Sequence, residues 1–260
     1  MELGLTGRVA LVTGSHRGTG SGIARTLAAE GAEVLVHGFE HGQADWLSAE
    51  LGAPTRSVWG DICTDAGAAA VAEQGGPVDI LINNYGVPVG SSWAEDDPEV
   101  WIEAYNRNVL SAVRMTRLLS PAMRTQGWGR IVLVSTVGAT RPGERIPGYY
   151  AAKGALPAVT VSLARELAGS GVTVNCVSPG AIATPELVEM WTRQAEREGR
   201  STEWSEVERH VATEQMPTLS GHIATVEEVG ALVAFVCGHR AGSINAAHLR
   251  IDGGATGVVT

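Results

Sequence analysis

The sequence predicts an α/β protein in which a doubly wound, parallel sheet of seven strands forms a single domain. Short runs rich in Val, Ile and Leu alternate with longer segments that carry apolar residues every three or four positions. Because the short runs are apolar at nearly every position, both of their faces are expected to be buried, as in parallel strands covered by helices. No repeat, low-complexity tract or linker interrupts this alternation. We therefore expect one domain over residues 1–260.

Seven runs are the predicted strands. In chain order they are RVALVTG (8–14), EVLVHG (33–38), TRSVWG (55–60), VDILINN (78–84), RIVLVST (130–136), VTVNCVS (172–178) and AHLRIDG (247–253). The segments between them have helical spacing and often end at Gly, as in residues 22–32 and 226–238. Strands and crossover helices therefore alternate in βαβ units.

A long charged insertion at about residues 185–221 departs from this rhythm. It is mostly helix-like and places Met190, Trp191, Trp204 and Met216 among polar residues. A long connection in an otherwise tight domain is often a binding loop, so we predict a helical substrate lid and a partly hydrophobic substrate. The alternative is a surface helical pair whose tryptophans pack on the core.

Composition and charge exclude several classes of function. The formal net charge is −9 and the pI is about 5.3, so a phosphate backbone is repelled and nucleic acid is not an expected partner. Cys63, Cys176 and Cys237 have no metal-ligand or disulfide spacing, which favours buried free thiols and no metal. No apolar run approaches the length of a membrane span, and we expect a soluble, cytoplasmic protein with no membrane partner.

The first predicted strand runs into a glycine loop, TGSHRGTGSGIA, which precedes a predicted helix. Gly14, Gly18 and Gly20 stand in a TGxxxGxG spacing. Residues without Cβ let a pyrophosphate approach the backbone N–H groups at the helix N-terminus. Strand, glycine turn and helix in this order predict a dinucleotide site.

The loop and four later motifs resemble the short-chain dehydrogenase/reductase family over essentially the whole chain. These motifs are NNYG (83–86), NRNVL with Asn108, YYAAK with Tyr149 and Lys153, and SPGAIAT (178–184), and IDGG (251–254) resembles the closing strand. The resemblance implies a Rossmann-type fold, an NAD(P)(H) cofactor, and hydride transfer between the nicotinamide and a ketone or secondary alcohol. It also implies a set of cofactor-binding residues: Gly14, Ser15, Arg17, Gly18, Thr19, Gly20, Gly38, Asp61, Ile62, Asn84, Tyr85, Gly86, Tyr149, Lys153, Pro179, Gly180, Ile182 and Thr184.

One of these positions departs from the family. The small Ala of the family's NNAG motif is replaced by Tyr85. This side chain either points away from the site or narrows it, and the sequence leaves both possibilities open.

Cofactor preference depends on charge at the end of the second strand. A carboxylate there binds the ribose 2′-OH of NAD and repels the 2′-phosphate of NADP. The sequence has His37 and Gly38 at that point, and Arg17 matches a position that binds the 2′-phosphate in NADP-preferring relatives. Against this, Phe39 stands where many relatives carry a second Arg, and Glu40 is close by. We predict NADP(H) in preference to NAD(H).

Tyr149 and Lys153 are the predicted acid/base pair. Residues four apart share one helix face, so their polar ends can converge on one ligand. An ordinary phenol holds its proton too tightly for easy exchange at pH 7, and we expect the Lys153 ammonium and the cofactor's positive nicotinamide to lower the pKa of Tyr149, the general acid or base. The resemblance also implies that Lys153 holds the nicotinamide ribose and that Asn108 anchors a water relay. Tyr150 also lies within helical reach of Lys153, and only the YxxxK resemblance selects Tyr149.

Pro157 stands four residues after Lys153. Its missing N–H leaves the Lys153 carbonyl without its usual helical partner. We therefore predict a local kink there, or a solvent or side-chain partner for that carbonyl.

The resemblance also requires a hydroxyl at the end of the fifth strand to hydrogen-bond the substrate oxygen. Thr136 lies thirteen residues before Tyr149, as is usual in the family, whereas Ser135 fits the family's SxxG string if one residue is inserted afterwards. Successive side chains of a regular strand point to opposite faces, so only one of the two can face the cofactor. Counting favours Thr136, and Ser135 stays open.

Two further expectations come from the resemblance. Relatives commonly assemble as tetramers or dimers, so we expect a homo-oligomer. The alternative function is a catalytically weak or inactive binding protein on the same fold.

Overall fold

The computed structural model describes residues 2–258, which form a single parallel sheet covered by helices on both faces. The strands are β1 (Val9–Val12), β2 (Glu33–Gly38), β3 (Arg56–Trp59), β4 (Ile80–Asn83), β5 (Gly129–Val134), β6 (Val172–Pro179) and β7 (His248–Ile251). Their order in the sheet is β3-β2-β1-β4-β5-β6-β7. The order reverses between β1 and β4, so a ligand crevice is expected outside the carboxyl ends of these strands. The predicted doubly wound, seven-stranded Rossmann-type fold is confirmed.

The helices are α1 (Gly18–Ala29), α2 (Asp45–Leu51), α3 (Asp65–Gly75), α4 (Pro98–Tyr105), α5 (Ser111–Gln126), α6 (Pro147–Glu166), α7 (Pro185–Arg197), α8 (Trp204–His210) and α9 (Val226–Cys237). Two π-helical turns continue α4 and α8, over Asn106–Leu110 and Val211–Gln215. Across residues 2–258, no helix combines the length and the apolar composition that crossing a bilayer requires.

Strand alternation divides the core between the two faces of the sheet. On β5, Val132 and Val134 pack with α1 and α9, whereas Ile131 and Leu133 pack with α5 and α6. Side chains of a strand point alternately to its two faces, which explains this division. The next residue along the strand direction, Ser135, therefore falls on the α6 side.

Residues 185–221 contain α7, α8 and a π-helical turn. Trp191 and Trp204 stack with ring centroids 6.2 Å apart, and Trp191 is buried in a small cluster that includes Val207 and Ile223. The two tryptophans therefore pack within this helical segment and not in the core clusters of the sheet, and the substrate lid stays a prediction. They give no support to the expectation of a hydrophobic substrate.

Candidate active site

A cleft of about 770 Å³ opens at the carboxyl ends of the central strands. It brings together most of the predicted site residues, from both halves of the sheet. These are Gly14, Arg17, Gly18, Thr19, Gly20, Asn84, Tyr85, Gly86, Ser135, Thr136, Tyr149, Lys153, Pro179, Gly180, Ile182 and Thr184. The glycine loop and the Tyr/Lys pair therefore face one shared space.

The glycine loop shows why its glycines are required. Gly14 and Gly18 have φ values of +64° and +55°, which L side chains rarely adopt. A Cβ on Gly20 would lie 2.5 Å from the Asn84 Nδ2 and 2.7 Å from the Gly14 carbonyl oxygen. The N-cap residue of α1, Arg17, makes no side-chain cap, so no side chain occupies the first-turn N–H groups there. Such a helix N-terminus is suited to an anion.

Thr13 and Asn84 tie the glycine loop to β4. The Thr13 Oγ1 accepts from the Tyr85 N–H at 3.0 Å, and the Asn84 Nδ2 donates to the Thr13 carbonyl at 2.9 Å. These bonds join the two strands between which the strand order reverses. The loop after β4 is therefore held in register with the glycine loop.

His37, on β2, supports the loop from the other side. The Gly14 N–H donates to its Nδ1 at 2.9 Å, and its Nε2 lies 2.9 Å from the Gly60 carbonyl oxygen. The second contact requires a proton on Nε2, so the imidazole is the neutral Nε2–H tautomer. Burial lowers the pKa of His37 to about 4.

One end of the cleft is walled by two aromatic rings. The rings of Phe39 and Tyr85 lie 4.7 Å apart and are tilted by 56°. The Tyr85 Cβ packs 3.2 Å from the position of a Cβ on Gly14, and its hydroxyl lies 3.9 Å from the Cys63 Sγ. Tyr85 thus reaches from the glycine loop to the turn after β3, and it lines the cleft instead of pointing away from it.

Four predicted cofactor residues do not line the cleft. Ser15 is buried, and its Oγ accepts from the His37 N–H at 2.8 Å, while Gly38 is covered by Gln43. Ile62 is buried in the core beneath α3, and the Asp61 carboxylate accepts from the Cys63 N–H at 2.9 Å. The aromatic wall lies on the cleft side of this turn, because Tyr85 lines the cleft and contacts Cys63.

Tyr149 and Tyr150 have different surroundings. Tyr149 lines the cleft, whereas the Tyr150 ring packs against Gly138 and Gly143 and is not among the lining residues. Burial raises the pKa of Tyr149 to about 12. The structure therefore distinguishes the two tyrosines, of which only Tyr149 lines the cleft, whereas sequence spacing could not.

Lys153 is buried, and burial lowers its pKa to about 8. Its Nζ donates to the Val134 carbonyl at 2.8 Å. Desolvation is the largest influence on the pKa of the Tyr149 phenol, and Tyr150 raises it further. The lowering expected from Lys153 together with the nicotinamide of a bound cofactor stays a prediction.

Asn108 lies in the π-helical turn after α4, and its side chain is not part of the cleft lining. Its Oδ1 accepts from the Val87 N–H at 3.0 Å, and its Nδ2 donates to the Val87 carbonyl at 2.9 Å. Asn108 thus fixes the backbone of the loop after β4. A Cβ on Gly86 would collide with both the Lys153 Nζ and the Asn108 Oδ1, so these groups converge behind Gly86.

The two candidate hydroxyls are in different positions. The Ser135 Oγ donates to the Lys153 carbonyl at 2.8 Å, and Ser135 is buried. Thr136 is extended, with φ −155° and ψ 155°, and its Oγ1 accepts from the Gly138 N–H at 3.3 Å. Since an acceptor role leaves the Thr136 hydroxyl proton available, this group can still donate to a ligand. The side-chain partner predicted for the Lys153 carbonyl is present, and it is Ser135.

Sequence reasoning missed several lining residues. They are His16, Gln43, Val87, Pro88, Arg107, Val134, Glu186 and Leu187. Gln43 stands in no motif, and only the fold brings it to the cleft, whereas Arg107 lies within the NRNVL motif, directly before Asn108. Glu186 and Leu187 lie in the first turn of α7, whose N-cap is Thr184. Their closeness in sequence to the SPGAIAT motif could therefore have predicted that they line the cleft.

Residues 2–258 contain no group of three or more His, Cys, Asp or Glu side chains placed to hold a metal ion. Cys63, Cys176 and Cys237 are free thiols, and the last two are buried. The polar groups that line the cleft include the phenols of Tyr85 and Tyr149, the Lys153 amine and the hydroxyls of Ser135 and Thr136.

A doubly wound parallel sheet whose glycine loop and Tyr/Lys pair share one cleft defines an oxidoreductase of the Rossmann type. Residues 8–195 match the sequence pattern of the family described as short chain dehydrogenase. The chain belongs to the short-chain dehydrogenase/reductase family.

Characterised relatives extend this similarity over nearly the whole chain. The D-beta-hydroxybutyrate dehydrogenase of Cupriavidus necator is 35% identical over 259 residues, covering 96% of this chain and 98% of the relative. The 3-oxoacyl-[acyl-carrier-protein] reductase of Escherichia coli is 32% identical over 252 residues, covering 95% and 97%. The crystal structure of L-sorbose reductase from Gluconobacter frateurii, complexed with NADPH and L-sorbose, has a TM-score of 0.90 at 31% identity and full coverage of both chains.

Proposed function

We propose that this protein is an NADP(H)-dependent reductase of ketones, or dehydrogenase of secondary alcohols, with Tyr149 as the general acid/base. The observation that carries the proposal is the single cleft in which the glycine loop, Tyr149, Lys153 and Thr136 meet. When bound, the nicotinamide cofactor supplies or accepts the hydride. The relatives named above act on hydroxy or oxo compounds, which supports this reaction class.

The residues present fit a dinucleotide. The cradle at Gly20 has no room for a side chain, and the N-terminus of α1 is free of side-chain caps. We assign Gly14, Gly18, Thr19 and Gly20 to the pyrophosphate end, and Pro179, Gly180, Ile182 and Thr184 to the nicotinamide end. Asn84 and Gly86 complete the floor between them.

Charge at the adenosine end favours NADP(H). Arg17 lines the cleft at this end. The residues that end β2, His37 and Gly38, carry no carboxylate and are buried, and the nearby Glu40 does not line the cleft. A cation near the ribose attracts a 2′-phosphate and a carboxylate repels it. L-sorbose reductase, solved with NADPH, supports the same preference.

The chemistry of the chain itself is proton transfer and charge stabilisation. Tyr149 donates its phenolic proton to the carbonyl oxygen in reduction and accepts it in oxidation. The Thr136 hydroxyl donates a hydrogen bond to the same oxygen as negative charge develops on it. Lys153 holds a positive charge one helical turn from Tyr149 and, by resemblance, binds the nicotinamide ribose.

Cofactor turnover tests the proposed function directly. We expect NADPH oxidation with some members of a panel of ketones that includes ketoses and 3-oxoacyl thioesters, and a higher kcat/KM for NADPH than for NADH. A clear preference for NADH would refute the cofactor assignment. NADPH binding without turnover of any ketone or alcohol would support the inactive alternative.

The aromatic wall gives a prediction for cofactor affinity. Tyr85→Ala should raise the KM for NADPH about 5- to 150-fold, because we expect the adenine to stack on this ring and stacking of a base on an aromatic face is worth about 1–3 kcal/mol. Tyr85→Phe is the matched control and should bind like the wild type, since the Tyr85 hydroxyl makes only a 3.9 Å contact with the Cys63 Sγ. An unchanged or lower KM in Tyr85→Ala would mean that the ring crowds the site.

We also propose a homo-oligomer. Large apolar side chains are exposed on helices α4, α5 and α6: Ile102 and Tyr105 on α4, Leu118 on α5 and Val161 on α6. Exposed apolar surface of this kind favours self-association. Light scattering should give a dimer or tetramer, and a monomer at micromolar concentration would contradict the proposal.

A further inference from the structure

The carbonyl of Lys153 is the starting point. In an α-helix, the N–H of residue i+4 donates to this carbonyl, but here that residue is Pro157, which has no N–H. Helix α6 nevertheless continues from Pro147 to Glu166. The carbonyl is instead bound by a side chain from another element, the Ser135 hydroxyl at the end of β5, at 2.8 Å.

Lys153 is therefore fastened to the end of β5 at both of its polar ends. Its Nζ donates to the Val134 carbonyl at 2.8 Å, and its own carbonyl accepts from the next residue, Ser135. Lys153 and Ser135 are 3% and 5% exposed, so water does not compete strongly for either bond. Tyr149 lies one helical turn away and moves with this turn.

We propose that Ser135 is a positioning residue: its hydroxyl replaces the helical hydrogen bond that Pro157 cannot donate, and so holds the Tyr149–Lys153 turn against β5. This inference rests on the proposed function. It also favours Thr136 as the hydroxyl that binds the substrate oxygen, because the single proton of the Ser135 hydroxyl is donated to the Lys153 carbonyl. Thr136 is then left to donate to the substrate.

A small displacement of this turn has a large kinetic effect. A misplacement of about 1 Å in a reacting group can cost about 100-fold in rate. Groups that lock a reactive side chain from behind are accordingly part of what makes a site effective. Removal of the Ser135 hydroxyl leaves the buried Lys153 carbonyl without a hydrogen-bond donor. Because an unpaired buried carbonyl is costly, we expect the Tyr149–Lys153 turn to shift.

Two substitutions and their combination test the inference. Ser135→Ala should lower kcat about 10- to 100-fold and weaken NADPH binding. Pro157→Ala restores an N–H at the position that bonds the Lys153 carbonyl, so the double variant Ser135→Ala/Pro157→Ala should recover most of both losses. This non-additivity is the signature of a shared hydrogen-bonding partner.

Thr160→Val is the matched control. The Thr160 Oγ1 also donates to a carbonyl of α6, that of Leu156, at 2.9 Å and in a buried position. That carbonyl is four residues before Thr160, whose own N–H can supply the helical bond. We expect Thr160→Val to change kcat less than threefold, with no dependence on Pro157.

The measurements are kcat and KM for proteins shown to be folded by circular dichroism, the NADPH dissociation constant by fluorescence, and the unfolding equilibrium in urea. A wild-type kcat and NADPH affinity in folded Ser135→Ala would overturn the positioning role. A loss that Pro157→Ala does not relieve, together with a fully active Thr136→Ala, would place Ser135 on the substrate and also overturn it. If the wild type turns over no carbonyl, the proposed function fails, whereas NADPH affinity and the unfolding constants across the four proteins still decide whether Pro157→Ala compensates for Ser135→Ala.

Discussion

Tyr149→Phe is expected to lose about 10²- to 10⁴-fold in kcat for carbonyl reduction, the range typical of removing a general acid. The substitution removes a single oxygen from a side chain that lines the cleft and keeps the ring that packs there. Burial raises the pKa of the phenol to about 12, so the group is protonated over the working pH range and ready to donate. NADPH binding should be nearly unchanged, because the proposal assigns the hydroxyl to the substrate.

Tyr150→Phe is the control for this result. Its ring is 5.6 Å from that of Tyr149, but it packs on Gly138 and Gly143 and does not line the cleft. We expect wild-type kcat from this variant. Steady-state kinetics of the two proteins with one ketone and NADPH make the comparison, and a reversed pattern would assign the acid/base role to Tyr150.

The sheet and the meeting of its motifs follow from local sequence. Each predicted strand overlaps an observed one, because residues buried on both faces leave an apolar run that polar loops interrupt. Parallel strands bring their carboxyl ends to one edge, so motifs after β1, β4, β5 and β6 had to meet there. The gathering of Gly14, Thr136, Tyr149 and Gly180 in one cleft was therefore predictable.

The directions of the Ser135, Tyr85 and His37 side chains could not be predicted from local sequence. The Ser135 contact depends on the packing of β5 against α6, and these residues are 18 apart in the chain. The direction of the Tyr85 side chain depends on its packing against Phe39, which comes from another strand and could not be predicted from the NNYG motif. His37 was read only as the absence of an Asp, since its partners Gly14 and Gly60 come from two other loops.

The buried imidazole of His37 predicts a loss of stability in mild acid. Its Nδ1 accepts from the Gly14 N–H, so a proton added to Nδ1 would face a donor and break the contact with the glycine loop. Burial is the main cause of the low pKa of about 4, with His16 lowering it further and the Gly60 carbonyl and Asp61 opposing the effect. Protonation in the folded protein is therefore disfavoured.

The direction of the pH effect follows from proton uptake on unfolding. Between pH 6.5 and about 4, His37 is protonated in the unfolded chain and neutral in the folded one. Because the unfolded state binds more protons there, the free energy of unfolding is highest above pH 6.5 and falls as the pH is lowered toward 4. A shift from 6.5 to about 4 corresponds to roughly 3 kcal/mol, which is a large part of the stability of a typical domain.

Urea unfolding at a series of pH values from 7.5 to 4 measures this loss. In His37→Gln, one fewer proton is taken up on unfolding, so the slope of the unfolding free energy against pH should fall by about 1.4 kcal/mol per pH unit. His41→Gln is the control for the same substitution at an exposed position outside the glycine loop. Should His37→Gln not fold, NMR titration of the wild-type imidazole gives the same information, with a pKa near 4 expected and one near 6.5 contradicting the burial argument. NADPH affinity of the folded protein should hold until the pH approaches 4, where His37 itself takes up a proton and loses the hydrogen bond that fixes Gly14 in the glycine loop.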